Sequence, residues 1–208
     1  MFQNRIKTLL TERQPDHFLW TALKQGDRRA FAELYERYYR TLYNYGHKLL
    51  PDAVLVEDAI QDLFVDLWRI QQNLSDAESV KFYLFRSLRR KIHRLATKEN
   101  RFLSVDNSSI QLPGDTTPEF QLTDQEHEQQ LTQQLAQALK QLPERQLEVV
   151  TLRFYENFKI SEIAAIMGIT DKSVRNTLHK AMTHLRENAR YLAPFLGLLW
   201  LLLRTHGL

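Results

Sequence analysis

The sequence predicts an all-α protein of two helical domains joined by an acidic linker, and three observations carry that prediction. Apolar residues recur three and four positions apart through most of the 208 residues, and no segment clearly alternates in the manner of a half-buried strand. Gly and Pro number only six each, so long helical runs meet few breakers. Residues 102–128 lack the periodicity: they carry six acids and no Lys or Arg, and Pro113-Gly114 and Pro118 disrupt any long helix there.

The first helix opens at Pro15-Asp16, places Phe18, Leu19, Ala22 and Leu23 on one side, and closes at Gly26. Asp27 caps the next, in which Phe31, Leu34, Tyr35, Tyr38, Leu42 and Tyr45 recur at helical spacing up to Gly46. Five Tyr between Tyr35 and Tyr45 suggest a base-stacking platform, but a Tyr stripe of this spacing is read as core with its hydroxyls at the rim.

After Pro51-Asp52 a third helix has Val56, Ala59, Ile60, Leu63, Leu67 and Ile70 as its inner stripe. Glu57, Asp58, Asp62 and Asp66 leave it strongly negative, with no base before Arg69. Phe64 and Trp68, four apart, are expected near the edge of that face. The pattern admits a docking surface for a basic helix with aromatic anchors, or a solvated face. A metal or acid/base site has no support, because no Glu-x-x-His helix accompanies the acids.

Charge then reverses. Residues 79–101 hold Lys81, Arg86, Arg89, Arg90, Lys91, Arg94, Lys98 and Arg101 against Glu99, a net +7, which is a phosphate-binding footprint in a chain whose overall charge is only +3. Val80, Tyr83, Leu84, Leu88, Ile92 and Leu95 form the inner side, leaving the bases to the outer one. Phe82, Tyr83 and Phe85 suit stacking on unpaired bases, although packing claims some of them.

Beyond the linker, residues 125–141 resume a helix with Leu131, Leu135, Ala138, Leu139 and the following Leu142 inward. Pro143 starts another that runs through Phe154; residues 157–159 break it. Ile160, Ile163, Ala164 and Met167 mark a short helix stopped by Gly168. Thr170 and Asp171 open the last, whose stripe is Val174, Leu178, Ala181 and Leu185. Two short helices about a Gly turn make a helix-turn-helix, leaving Lys172, Ser173, Arg175, Asn176, Thr177, His179 and Lys180 free to enter a major groove. Such helix pairs also occur in domains that touch no DNA, but the turn, cap, stripe and basic-amide face occur together here, which favours DNA binding.

Residues 191–203 are almost wholly apolar, with Arg190 and Arg204 at their ends, and fall short of the ~20 residues of a membrane span. Packing against a domain or a protein partner ranks ahead of lying on a membrane surface. The chain has no Cys, hence no disulfide or thiolate metal site. Residues 1–17 carry scattered charge without an apolar secretory run, so a cytoplasmic location is expected.

Residues 57–68 (EDAIQDLFVDLW), the basic helix, the acidic linker and residues 142–187, in this order and spacing, resemble an extracytoplasmic-function sigma factor of the sigma-70 superfamily over residues 25–188. The resemblance implies a region 2 domain at 1–101, a flexible acidic linker at 102–124, a region 4 domain at 125–189 and an apolar tail at 190–208. It implies binding to bacterial core RNA polymerase and to promoter DNA, with an anti-sigma factor, free or membrane-anchored, as a further partner. Carried over by position, Asp58, Gln61, Asp62, Phe64 and Trp68 contact the polymerase clamp. Residues 73–79 and the helix bearing Lys81, Tyr83, Arg86, Arg89, Arg90 and Arg94 hold the minus-ten strand with a flipped base. The seven residues from Lys172 to Lys180 named above read the minus-thirty-five element. The chain departs from the common pattern at Arg90 and Arg94, where the family often has Asn and then Asp. It departs again at Thr177, where an Arg often follows the small polar residue.

No catalytic residue, metal, cofactor or small-molecule substrate is expected: the seven His are scattered, and neither a phosphate loop nor a framed nucleophile is present. A free-standing regulator shares the helix-turn-helix, but the first half has no βα alternation for a receiver domain.

Overall fold

The computed structural model describes residues 14–98 and 135–188, which are helical apart from turns and short connecting segments, with no strand among the described residues. The expected linker and the apolar tail lie outside them. The chain divides into two compact units between Glu99 and Asn100.

In the first unit, α1 (Asp16–Lys24), α2 (Arg28–Leu49), α3 (Ala53–Arg69) and α4 (Val80–Lys98) pack on one another, with a 3-10 turn at Gln71–Asn73 between α3 and α4. Their starts are fixed locally. The Asp27 carboxylate accepts from the N–H groups of Arg29 (2.7 Å) and Ala30 (3.3 Å), and that of Asp52 from Leu55 (3.2 Å). Ser79 Oγ accepts from Phe82 N at 3.1 Å. Gly26, at φ 85°, makes the reversal from α1 to α2.

Five side chains depart from the expected pattern. In α1, Trp20 is buried with Leu19 and Leu23, whereas Phe18 is 58% exposed. Ile70, expected inside, follows the end of α3 and is exposed. In α4, Phe85 is fully buried against Tyr45 (ring centroids 4.9 Å), so it is core and not a stacking surface, while Leu95 is only half-buried.

Gly46 does not stop α2, which runs on to Leu49. It sits where α3 and α4 converge: a Cβ there would lie 2.8 Å from Val56 Cγ1 and 3.1 Å from Ile92 Cδ1. The glycine is thus needed for close approach and not for a turn.

A polar clasp ties α1 to α2. Arg37 donates to the Asp16 carboxylate (2.6 Å), the Gln14 carbonyl (2.7 Å) and Glu33 (2.5 Å), and the Tyr38 hydroxyl donates to the other Asp16 oxygen. Burial, reinforced by the Asp16 carboxylate, pushes the Tyr38 phenol well above its ordinary range, so it remains a donor.

In the second unit, helical residues 135–140 lead to α5 (Glu144–Val150), which continues as a wider π turn, Thr151–Tyr155. The Glu156 N–H reaches the Thr151 carbonyl at 3.0 Å, five residues back. Asn157, at φ 57°, ends the run, and Arg153 Nη1 donates to the Phe158 carbonyl at 3.0 Å, closing the turn. Then come α6 (Ile160–Met167) and α7 (Asp171–Asn188). Glu162 accepts from Lys159 N at 2.7 Å, Gly168 takes φ 68°, and Thr170 Oγ1 accepts from Ser173 N at 3.2 Å. Val174, Leu178, Ala181 and Leu185 are buried against α5 and α6 as their spacing requires.

Candidate nucleic-acid interface

α7 owes its orientation to that stripe. With Val174 and Leu178 inward, helical geometry turns Lys172, Arg175, Asn176, His179 and Lys180 outward, and all five are exposed along one side. Ser173 and Thr177 are half-buried and their hydroxyls are engaged within the helix. Ser173 Oγ lies 3.0 Å from Thr170 Oγ1, and Thr177 Oγ1 donates to the Ser173 carbonyl at 2.8 Å. Three cations, one amide and one imidazole therefore present donors and acceptors beyond the helix surface. That set is suited to phosphates and to bidentate contacts with base edges. Lys172 and Arg175 lie in the first turns, which a major groove admits most deeply.

On α4 the cations are not equivalent. Arg90 and Arg94, four apart, are exposed. Arg86 and Arg89 are half-buried; the Arg86 guanidinium lies over the Phe82 ring at 5.9 Å. Lys81 Nζ is 5.7 Å from the Phe85 centroid. Tyr83 is half-buried with its ring edge-on to Trp20 at 5.1 Å, and burial raises its phenol above the ordinary range. Lys91, expected on the outer side, is mostly buried and bound to Asp66 of α3 at 2.6 Å.

That ion pair also changes the acidic face. Asp66 is occupied by Lys91 and by Arg69 (2.6 Å), and hydrogen bonding to Lys91 holds its carboxyl below the usual carboxylate range. Asp58, Gln61 and Asp62 remain exposed. Phe64, expected at the edge, is instead 2% exposed, enclosed by Phe31 (5.9 Å) and Tyr35 (4.9 Å) of α2. The reason is register: position 64 follows Ile60 by four and precedes Leu67 by three, which puts it on the buried stripe. Trp68 is half-buried, edge-on to Phe31 at 5.1 Å.

The apolar members of the outer face were missed in the sequence. Val54 and Val65 are 66% and 62% exposed and share that face with Asp58, Gln61 and Asp62 by spacings of three and four. Counting outward from the acids finds both. Trp20 and Lys24 of α1 also reach the candidate loop: Trp20 Nε1 donates to the Ser75 carbonyl at 3.1 Å, and Lys24 Nζ meets Asp76 at 2.5 Å. The sequence carries no local signal for those contacts, which span 55 and 52 residues.

Among the described residues no group of three or more His, Asp or Glu is placed to hold a metal ion, and no helix is long and apolar enough to cross a membrane.

Comparison with known proteins bears on both units. Residues 34–102 match the family Sigma-70 region 2, and residues 132–185 match the family Sigma-70, region 4. The RNA polymerase sigma-E factor of Streptomyces avermitilis is 29% identical over 166 residues, covering 74% of this chain and 83% of that protein. The ECF RNA polymerase sigma factor SigL of Mycobacterium tuberculosis is 28% identical over 157 residues, covering 74% and 85%. In fold, the chain is similar to CnrH in complex with the cytosolic domain of CnrY, with a TM-score of 0.55 and 21% identity over 83% of this chain and 95% of that one. It is similar also to the sigma factor RpoE in complex with the anti-sigma factor NepR from Bartonella quintana, with a TM-score of 0.53 and 21% identity over 77% and 96%.

Proposed function

The chain belongs to the sigma-70 family, among the extracytoplasmic-function RNA polymerase sigma factors, and from that premise we propose how its residues divide the task of directing core polymerase to promoters. The protein binds core RNA polymerase and lends it recognition of the minus-ten and minus-thirty-five elements; it catalyses no reaction of its own.

The observation that carries the assignment of residues is α7, whose buried stripe leaves Lys172, Arg175, Asn176, His179 and Lys180 on one exposed side. In this reading α7 enters the major groove of the minus-thirty-five element. Arg175 and Asn176 read bases, Lys172, His179 and Lys180 reach the backbone, and Ser173 and Thr177 offer their hydroxyl oxygens at the groove edge. On the first unit, Arg90 and Arg94 hold the phosphates of the minus-ten strand. Lys81, Arg86 and Arg89 contribute positive charge behind them, and Tyr83 borders residues 73–79, which receive an unstacked base. Opening the duplex costs a few kcal/mol in stacking, offset by capture of that base and by phosphate contacts.

The polymerase clamp is assigned to the outer face of α3. Asp58, Gln61 and Asp62 supply charge and hydrogen bonds, Val65 and the accessible part of Trp68 supply apolar contact, and Phe64 supports the face from inside. The domain limits 1–101, 102–124, 125–189 and 190–208 form part of the same reading, with the linker raising the effective concentration of the second reader once the first is bound. A cytoplasmic location and an anti-sigma protein, free or membrane-anchored, follow by extension from relatives of like fold.

Run-off transcription on a promoter library, with the purified chain and with or without bacterial core polymerase, tests the assignment. Transcripts that require both components are expected. Sequence-specific DNA binding by the chain alone, with no gain from polymerase, would place it among free-standing regulators.

A further inference from the structure

α1 lies outside both matched family segments, since the first begins at residue 34. Yet α1 is joined to the loop assigned to the minus-ten base and to the helix that follows it. The Trp20 indole N–H donates to the Ser75 carbonyl at 3.1 Å, fixing the loop's backbone. Its ring meets Tyr83 of α4 edge-on at 5.1 Å. One turn further, Lys24 Nζ meets the Asp76 carboxylate at 2.5 Å. At the loop's start, Gly26 lies against the side chain of Gln71, whose Oε1 would be 3.9 Å from a Cβ on that glycine.

These contacts have a direction. Leu74 is buried at 7% exposure, while Ser75 and Asp76 on its far side are exposed. A loop pinned at Leu74 alone would retain freedom in the next two residues. The Trp20 bond removes it at the backbone, and the Lys24 pair restrains the adjacent side chain. Trp20 is itself 2% exposed, and α1 is clasped to α2 by Asp16, Arg37 and Tyr38, so the anchor does not move with the loop.

We propose that α1 is a positioning element for minus-ten recognition, in which Trp20 and Lys24 hold residues 73–79 in the conformation that receives an unstacked promoter base. The inference rests on the assignment of that loop to the minus-ten strand. Neither residue touches the base; they act through Ser75 and Asp76. A preorganised loop discriminates between bases because a wrong base cannot be accommodated by rearranging the loop.

The test is run-off transcription by the full chain with core polymerase on promoters carrying each base at each minus-ten position. The variants are Trp20→Phe, which keeps a ring and removes the N–H, Lys24→Met, Lys24→Arg, and the loop substitutions Asn73→Ala and Glu78→Ala. Loss of the Trp20 hydrogen bond should lower discrimination at one minus-ten position about fivefold. Lys24→Met should lower it less, because Asp76 is largely exposed, and Lys24→Arg should retain it. Affinity for core polymerase and the minus-thirty-five preference should stay at the wild-type level in all of these.

Altered base preference in the loop variants but unchanged discrimination in Trp20→Phe and Lys24→Met would overturn the positioning role and leave the loop assignment standing. No change in the loop variants would overturn the loop assignment, and the positioning role with it. A drop in total transcription with discrimination intact would reduce α1 to a structural support and likewise overturn the proposal. Where Trp20→Phe fails to fold, Lys24→Met and Lys24→Arg decide, since Lys24 lies at the edge of the unit.

Discussion

Neighbouring acids on α3 have different partners, and that difference sets what each can do. Asp62 is exposed, so Asp62→Lys should leave the fold intact and lower affinity for core polymerase at least tenfold in a binding titration. Unchanged affinity would remove α3 from the polymerase face. Asp66 is held by Lys91 across to α4, so Asp66→Lys should destabilise the first unit, and any effect on polymerase binding would be secondary. The pair also has a pH signature. A carboxyl whose folded pKa is depressed contributes stability that is present above its unfolded pKa and lost as pH falls through the folded value. Asp66 is 40% exposed, so solvent screening keeps the contribution below about 1 kcal/mol. Thermal melts of wild type and Asp66→Asn should differ at about pH 6 and converge as pH falls below the usual carboxylate range. On α7, Arg175→Ala should cost about 1–3 kcal/mol of promoter affinity and relax the preference at one base pair. Lys172→Ala should weaken binding more evenly across sequences and reduce its salt dependence.

Among the elements, what the sequence disclosed was what neighbours in sequence decide. The caps at Asp27 and Thr170, the helix start at Asp52, the left-handed Gly168 and the stripe of α7 depend on residues two to four apart, and the structure has them as their chemistry requires. What it concealed depends on how a helix is rotated against another. Phe64 and Trp68 are equally aromatic, yet only the seating of α3 on Phe31 and Tyr35 encloses one of them. Phe18 and Trp20 likewise exchange expected places because α1 buries its side toward Tyr83. Gly46 looked like a helix end, and its reason for being glycine lies in two residues ten and forty-six positions away. Gly46→Ala should therefore destabilise by about 1–3 kcal/mol through overpacking in spite of alanine's better helix propensity, as read by urea denaturation. A stabilised variant would mean that α3 and α4 do not close on α2 there.

For the molecule as a whole, the candidate site was readable as charge and less so as contact. The acid-then-basic order of α3 and α4, followed by a helix-turn-helix, is visible in the letters, because net charge and helical period survive without coordinates. Which acid is spent on an internal pair, which arginine is exposed, and which N-terminal residue touches the loop are tertiary facts. A chain that carries two separate promoter readers should show both in one selection. A promoter-library selection with core polymerase, comparing wild type, Arg175→Ala and Arg90→Ala, tests it most directly. Two sequence blocks at a fixed separation are expected, the upstream one relaxed by Arg175→Ala alone, while Arg90→Ala, which removes a phosphate contact, lowers transcription evenly and leaves both blocks readable. A single block, or both variants acting on the same block, would contradict that expectation.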